Sequence, residues 1–163
     1  MFSCLIFSCL VCSGIDAQIR ESQQTAIDTV DELSDTIKLV NKTIWETAEV
    51  GLKETKSSAL LMKHLKENGF KIESGISGMP TAFVATYGKG KPVIGLLAEY
   101  DALPGLMQTA SPFKEERSDV IAGHACGHHL FGAASAWAAI AIKEWLIETN
   151  TKGTIRFYGT PAE

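Results

Sequence analysis

Apolar residues recur at helical spacing through the first part of the chain. Between Ser22 and Thr47 they return every three or four positions, which predicts one amphipathic helix. The same spacing continues from Lys53 to Asn68, and the following Gly69 is typical of a helix end. His64 falls within this second helix, where we expect its side chain to be exposed.

The pattern changes to that of strands in the middle of the chain. Residues 81–87 are rich in strand formers, and the near-continuous apolar run of residues 92–100 is typical of a strand buried on both faces. The glycine-rich turn between them predicts a hairpin. The buried strand would present Glu99 and Asp101 at its carboxyl end, where open α/β sheets bind ligands. The alternative is that Asp101 only caps the turn that follows.

The last part of the chain predicts one helix and one strand. From Leu130 to Glu148 the sequence is helical, and through Ile142 it is apolar nearly all round, so we expect a buried helix packed on the sheet. A strand at Thr154–Tyr158 follows a short turn. The order of helices and strands predicts an α/β fold with a mixed or parallel sheet flanked by helices.

Composition narrows the class of protein. The chain has 163 residues, of which 45% are hydrophobic and 21% charged, as in one globular domain. The net charge is −4 and no basic run occurs, which argues against a nucleic-acid partner. We expect no apolar stretch of membrane-spanning length.

The first residues resemble a targeting sequence. An apolar run with three cysteines ends at small residues near Ala17, which is typical of a secretory signal peptide over residues 1–17. Because no basic residue precedes the run, a misassigned start or a buried N-terminal strand is the alternative. The signal peptide would imply a secreted or periplasmic protein, and its absence a cytoplasmic one. Cleavage near Ala17 would leave Cys126 as the remaining thiol.

Residues 123–129 concentrate the chemistry of metal binding. Three histidines and Cys126 fall in this segment, just before the apolar helix. In a loop or extended segment, Cys126 and His128 would share one face and could converge on a metal ion such as zinc. The alternative is an incidental pair, since no closed set of four ligands is visible.

Three motifs carry a resemblance to a known family. They are GLLAEYDALPGL at 95–106, GHACGH at 123–128 and GTPAE at 159–163. Together they resemble the M20 metallopeptidase/amidohydrolase family and, within it, the aminobenzoyl-glutamate utilisation protein B branch. Segments 45–51 and 75–83 fit the same branch. The resemblance covers about residues 22–163 and implies a zinc-exopeptidase-like sheet.

The resemblance implies roles for individual residues. Two divalent ions, zinc or manganese, would be bridged by Cys126 and held by His128 as a terminal ligand. Glu163 would be the general base, and Asp101 would support the metal centre. Glu99 stands where many relatives have a histidine ligand, so its role stays open. His129 stands where Asp or Asn is common, and we do not assign it as a ligand.

The implied activity is the hydrolysis of amide bonds by metal-activated water. The substrates would be N-acyl amino acids or aminobenzoyl-glutamate-like molecules, and family members are often dimeric through a smaller domain. That domain and further ligands would follow Glu163, so residues 18–163 correspond to the first part of a catalytic domain, incomplete at its carboxyl end. The alternative is an inactive fragment with weak metal binding at most. We then expect Thr154–Tyr158 to be an unpaired sheet edge.

Overall fold

The computed structural model describes residues 21–163, so the proposed signal peptide at 1–17 lies outside the described residues. The helices are α1 (Glu21–Glu32), α2 (Ser34–Thr47), α3 (Thr55–Glu67) and α4 (His128–Glu148), with a short 3-10 helix at Ile76–Gly78. The strands are β1 (Lys71–Ser74), β2 (Phe83–Lys89), β3 (Val93–Glu99), β4 (Leu103–Pro104), β5 (Ala122–Gly123) and β6 (Gly153–Thr160).

The single helix predicted over residues 22–47 is wrong, because the chain bends at Leu33. This residue has φ −95° and ψ 5°, between the ends of α1 and α2. The backbone hydrogen bonds continue across the bend, with the Ile37 amide donating to the Leu33 carbonyl at 2.9 Å. Both helices contact α4. The apolar spacing therefore predicts the helical residues correctly, but it does not report a local change in helix direction.

The sheet has the strand order β1-β2-β6-β3. Strand β6 is antiparallel to β2 and parallel to β3, so it separates the two strands that the sequence predicts to form a hairpin. The hairpin prediction is wrong because a tight turn reverses the chain without deciding which strands pair. Ile155 and Phe157 of β6 are 1% and 0% exposed, and this middle position buries them. The predicted α/β class, with a mixed sheet flanked by helices, is confirmed.

Strand β3 lies at the edge of the described sheet. Its apolar side chains Val93, Ile94 and Leu97 are 54%, 48% and 69% exposed, so the prediction that both faces are buried is wrong. The prediction that Thr154–Tyr158 forms an unpaired edge is also wrong, because these residues belong to β6 in the interior of the sheet. A continuous apolar run specifies a strand but does not specify its place in the sheet.

Helix α4 lies at the centre of the core, as its apolar sequence predicts. It contacts α1, α2, α3, β3 and β6, and it begins at His128, two residues before the predicted start. By length and composition alone its 21 residues could also cross a membrane, contrary to the expectation from the sequence. His64 of α3 packs its ring against Trp137 of α4, with centroids 5.2 Å apart, so its expected exposure is wrong.

Candidate metal and catalytic site

The ends of two neighbouring parallel strands define the candidate site. Glu99 at the end of β3 is paired in register with Thr160 at the end of β6. Asp101 and Glu163 follow these strand ends by two or three residues, at the same edge of the sheet. Gly127 adopts φ +88° just before α4, and this left-handed conformation turns the chain so that α4 starts beside β3.

His128 lies between two carboxylates at this edge. Its Nδ1 atom is 2.8 Å from Oδ1 of Asp101, and its Nε2 atom is 3.1 Å from Oε2 of Glu99. The side chains of His128 and Asp101 are 6% and 4% exposed, whereas that of Glu99 is 31% exposed. The imidazole is therefore fixed from its buried side by Asp101 and faces Glu99 on its more open side.

This arrangement fits one requirement of a metal ligand. A metal-bound histidine almost always donates its second ring N–H to a carboxylate or carbonyl, which fixes the tautomer and the ring orientation. Asp101 is such a partner for Nδ1, so Nε2 is the nitrogen that His128 could offer to a metal. No group of three or more histidine, cysteine, aspartate or glutamate side chains within residues 21–163 is placed to hold a metal ion.

Cys126 and His128 belong to different local structures. Cys126 lies in the predicted loop, in a turn, and its thiol is free and exposed. His128 is the first residue of α4, whereas the sequence pattern predicts it in the loop. No hydrogen bond or ion pair joins the two side chains in the described part of the chain. Their assignment as metal ligands stays a prediction.

Two further histidines pack together beside the site. The Nε2 atom of His124 lies 3.1 Å from the Ile44 carbonyl, which can only accept, so Nε2 carries the proton. The rings of His124 and His129 are 4.9 Å apart, and the Nδ1 atom of each is buried without a hydrogen-bond partner. Burial, followed by the neighbouring His129, lowers the pKa of His124 to about 4. His124 is therefore neutral at neutral pH.

Glu163 is exposed just beyond the end of β6. It borders a small cavity of about 200 Å³ whose other walls come from residues 76–84 and 158–161. Within residues 21–163, no hydrogen bond or ion pair joins its side chain to Asp101, Cys126 or His128. The strand register brings Glu163 to the same edge of the sheet as these residues, without direct contact.

Two features of the site were not predicted from the sequence. Glu99 contacts His128, and the signal for this was the i, i+2 spacing of Glu99 and Asp101, which puts both on one side of an extended chain. The second feature is the segment 48–54, which we call the brace loop. Its residue Val50 pairs with Ala102 after β3, and its residue Gly51 lies against Ala162 after β6.

Comparison with known proteins identifies the relatives of this chain. No protein-family model matches it. It is 40% identical over 152 residues to one of the polypeptides of p-aminobenzoyl-glutamate hydrolase from Escherichia coli K12, covering 91% of this chain and 29% of that protein. It is also 30% identical over 137 residues to hippurate hydrolase of Campylobacter jejuni, covering 84% and 34% of the two chains.

The solved structures add the family. A dinuclear metal-binding peptidase of the M20 family from Bacillus subtilis superposes with a TM-score of 0.61 and 26% identity, over 82% of this chain and 36% of that one. The homologues of this chain are M20 family hydrolases. A protein from methicillin-resistant Staphylococcus aureus that carries an aminohydrolase assignment shares the fold, with a TM-score of 0.71 and 22% identity, over 86% of this chain and 35% of that one.

The match to the M20 relatives is partial in one direction. The chain spans about a third of the length of the curated relatives it matches, with shares of 29% and 34%. The M20 peptidase of B. subtilis is described as binding a dinuclear metal centre, and metal ions are expected for this family. What this chain shares with its relatives includes the sheet edge at which Asp101, His128 and Glu163 lie.

Proposed function

We propose that the polypeptide containing this chain is an amidohydrolase of the M20 type. Its substrates would be p-aminobenzoyl-glutamate-like molecules or N-acyl amino acids, in keeping with the p-aminobenzoyl-glutamate hydrolase and hippurate hydrolase relatives. The observation that carries this proposal is the position of His128, held by Asp101 and facing Glu99 at the carboxyl end of β3. A second observation in its favour is the 40% identity, which extends over 91% of the chain.

The metal-binding residues would be Cys126 and His128. Thiolate and imidazole are good ligands for zinc and similar divalent ions, and the Asp101 contact suits a metal-bound imidazole. When bound, divalent ions would polarise the scissile carbonyl and lower the pKa of water. Zinc and manganese are both compatible with this proposal.

The carboxylates of the chain would divide the remaining work. Asp101 accepts the Nδ1–H of His128 and holds the imidazole in one tautomer and one orientation. Glu163, exposed at the end of β6, would take a proton from the attacking water and pass it to the leaving amine. Glu99 would keep a negative charge beside Nε2 of His128.

The test is hydrolysis by the polypeptide isolated from its native source. We expect release of p-aminobenzoate or of a free amino acid, followed by chromatography, and loss of this activity on chelation. Cys126→Ala should remove nearly all activity and lower the bound metal, whereas Ser74→Ala on the exposed strand β1 should change neither. An active, metal-replete Cys126→Ala protein would show that the site assignment is wrong.

The intact mass of the same preparation separates the proposal from its alternative. A mass well above 17.6 kDa, together with activity, supports the hydrolase proposal for the longer polypeptide. A mass near this value without activity supports the inactive alternative. A deficit corresponding to about the first 17 residues would support the signal peptide and export from the cytoplasm.

A further inference from the structure

The carboxylate of Glu54 is completely buried although it lies at the start of a helix. Glu54 is 0% exposed and precedes α3, yet its side chain makes no capping hydrogen bond to that helix. Glu49 fills this role, since its carboxylate accepts the backbone amides of Lys56 and Ser57. The Glu54 side chain is therefore free to bind elsewhere.

Glu54 joins two distant segments of the chain. Its Oε2 atom accepts a hydrogen bond of 2.7 Å from the Thr81 hydroxyl, and its Oε1 atom accepts one of 3.0 Å from the backbone amide of Ala162. None of the ion pairs formed by the described residues includes Glu54. A buried carboxylate without a cation is costly to fold, because its desolvation is offset only by these hydrogen bonds.

The amide that Glu54 binds belongs to a residue in an unusual conformation. Ala162 has φ +60°, in the left-handed region that residues other than glycine rarely adopt. A Cβ atom on Gly51 would lie 2.8 Å from the Cβ atom of Ala162, so the brace loop approaches this residue as closely as glycine allows. The conformation at Ala162 is therefore supported from outside, by Glu54 and by the brace loop.

We propose that Glu54 is a positioning residue for Glu163. By binding the Ala162 amide, the Glu54 carboxylate fixes the peptide that immediately precedes Glu163, and so the direction in which Glu163 leaves the end of β6. The same brace loop pairs with Ala102 next to Asp101, which fixes the two strand ends relative to each other. This proposal rests on the proposed role of Glu163 as general base.

The chain allows a matched set of variants. In Glu54→Gln, Oε1 can still accept the Ala162 amide, and Nε2 can donate to the Thr81 hydroxyl, which is also an acceptor. Glu54→Leu removes both acceptors at similar volume. Glu49→Leu makes the same replacement five residues earlier and removes the cap of α3 without touching Ala162. This control separates loss of position from loss of stability.

The first readout is hydrogen exchange at the Ala162 and Glu163 amides of the 163-residue chain, measured by NMR. We expect exchange at Ala162 to become at least about tenfold faster in Glu54→Leu, because one hydrogen bond is lost. Glu54→Gln and Glu49→Leu should keep the wild-type rate at Ala162. Unchanged exchange in Glu54→Leu would overturn the proposal whether or not the protein is a hydrolase.

The second readout is the kinetics of amide hydrolysis by the full polypeptide, below the melting temperature of every variant. Glu54→Leu should lower kcat at least about tenfold with little change in KM, and Glu54→Gln should restore most of it. Glu49→Leu should lower the melting temperature without lowering kcat. An equal loss of kcat in Glu49→Leu would show that Glu54 is only structural.

Two further outcomes remain decisive. If Glu54→Leu does not fold, Glu54→Asp replaces it, since the shorter side chain keeps the charge but cannot reach both Thr81 and Ala162. The same faster exchange and lower kcat are then expected, and wild-type values would overturn the proposal. If the unmodified polypeptide hydrolyses no amide while Ala162 responds to Glu54→Leu, the proposed function fails, and so does the link between Glu54 and catalysis.

Discussion

At the scale of single residues, the two carboxylates beside His128 have different surroundings. The Asp101 side chain is 4% exposed and binds Nδ1, while the Glu99 side chain is 31% exposed and faces Nε2. The buried partner sets the orientation of the ring, and the open side leaves Nε2 accessible to a ligand. Changes at Asp101 should therefore act through the ring of His128.

Asp101→Asn should weaken metal binding. An amide at this position cannot accept and hold the Nδ1–H as a carboxylate does, and removing such a partner commonly lowers metal affinity about 10–100-fold. Titration calorimetry with zinc on the full polypeptide measures this change. Asp35→Asn, at a side chain that is 97% exposed, is the matched control and should bind as the wild type does. Equal affinities for both variants would contradict a supporting role for Asp101.

His64 should make stability depend on pH. Burial lowers its pKa below 6.5, with Glu67 opposing the shift. As pH falls below about 6.5, the unfolded chain takes up the proton first, so this contribution to the free energy of unfolding is lost on acidification. His64→Gln lacks this term, and its advantage over the wild type should grow between pH 7 and pH 5 in urea titrations. A constant difference across that range would contradict the expectation.

At the scale of elements, the close approach of α4 to β3 determines where His128 lies. A Cβ atom on Gly132 would be 2.7 Å from the backbone carbonyl oxygen of Glu99. Helix and strand end therefore meet without an intervening side chain. Because His128 lies one turn before Gly132 on the same helix, this contact keeps its imidazole within reach of Glu99 and Asp101.

Gly132→Ala should destabilise the protein although alanine favours helices. Helix propensity alone would stabilise the fold by about 1 kcal/mol. The clash with a backbone atom should outweigh this gain, since overpacking of this kind costs about 1–3 kcal/mol. Denaturant unfolding should show a net loss of stability, and NMR should show shifted His128 ring signals. A more stable variant would mean that α4 can move away from β3 freely.

The sequence predicts the kinds of element better than their neighbours. The helical spacing of residues 22–47 is correct, but the bend at Leu33 leaves no mark in a periodic pattern. The strand character of β2 and β3 is correct, whereas their pairing depends on β6, which follows β3 by more than fifty residues. In the site, the strand-end carboxylates and the histidine segment are found from the sequence. The role of Glu54 is not, because a buried carboxylate on a helix start looks like an ordinary cap.

At the scale of the whole molecule, the described surface has an apolar sheet edge. Strand β3 is paired on one side by β6, and its side chains carry no charge before Glu99. Exposed edges without charged residues favour pairing between molecules. The 163-residue chain on its own should therefore associate through β3.

Leu97→Lys should reduce this association. Leu97 is 69% exposed, so a lysine fits without disturbing the core and adds a charge to the edge. Light scattering on the 163-residue chain should report fewer large species than for the wild type. Ile147→Lys makes a comparable change on α4, at a residue that is 55% exposed but far from free backbone groups. If both variants behave alike, general surface hydrophobicity and not the edge drives association.

The place of β6 between β2 and β3 also governs the order in which the protein can fold. On the ribosome, β2 and β3 emerge early, but their common neighbour is complete only when Thr160 has been synthesised. At bacterial or eukaryotic elongation rates the interval from Glu99 to Thr160 lasts about 3–12 s. During that time both strands lack the neighbour they share, so the sheet closes as a late step with long-range contacts. A chaperone that shields nascent chains would act during this interval.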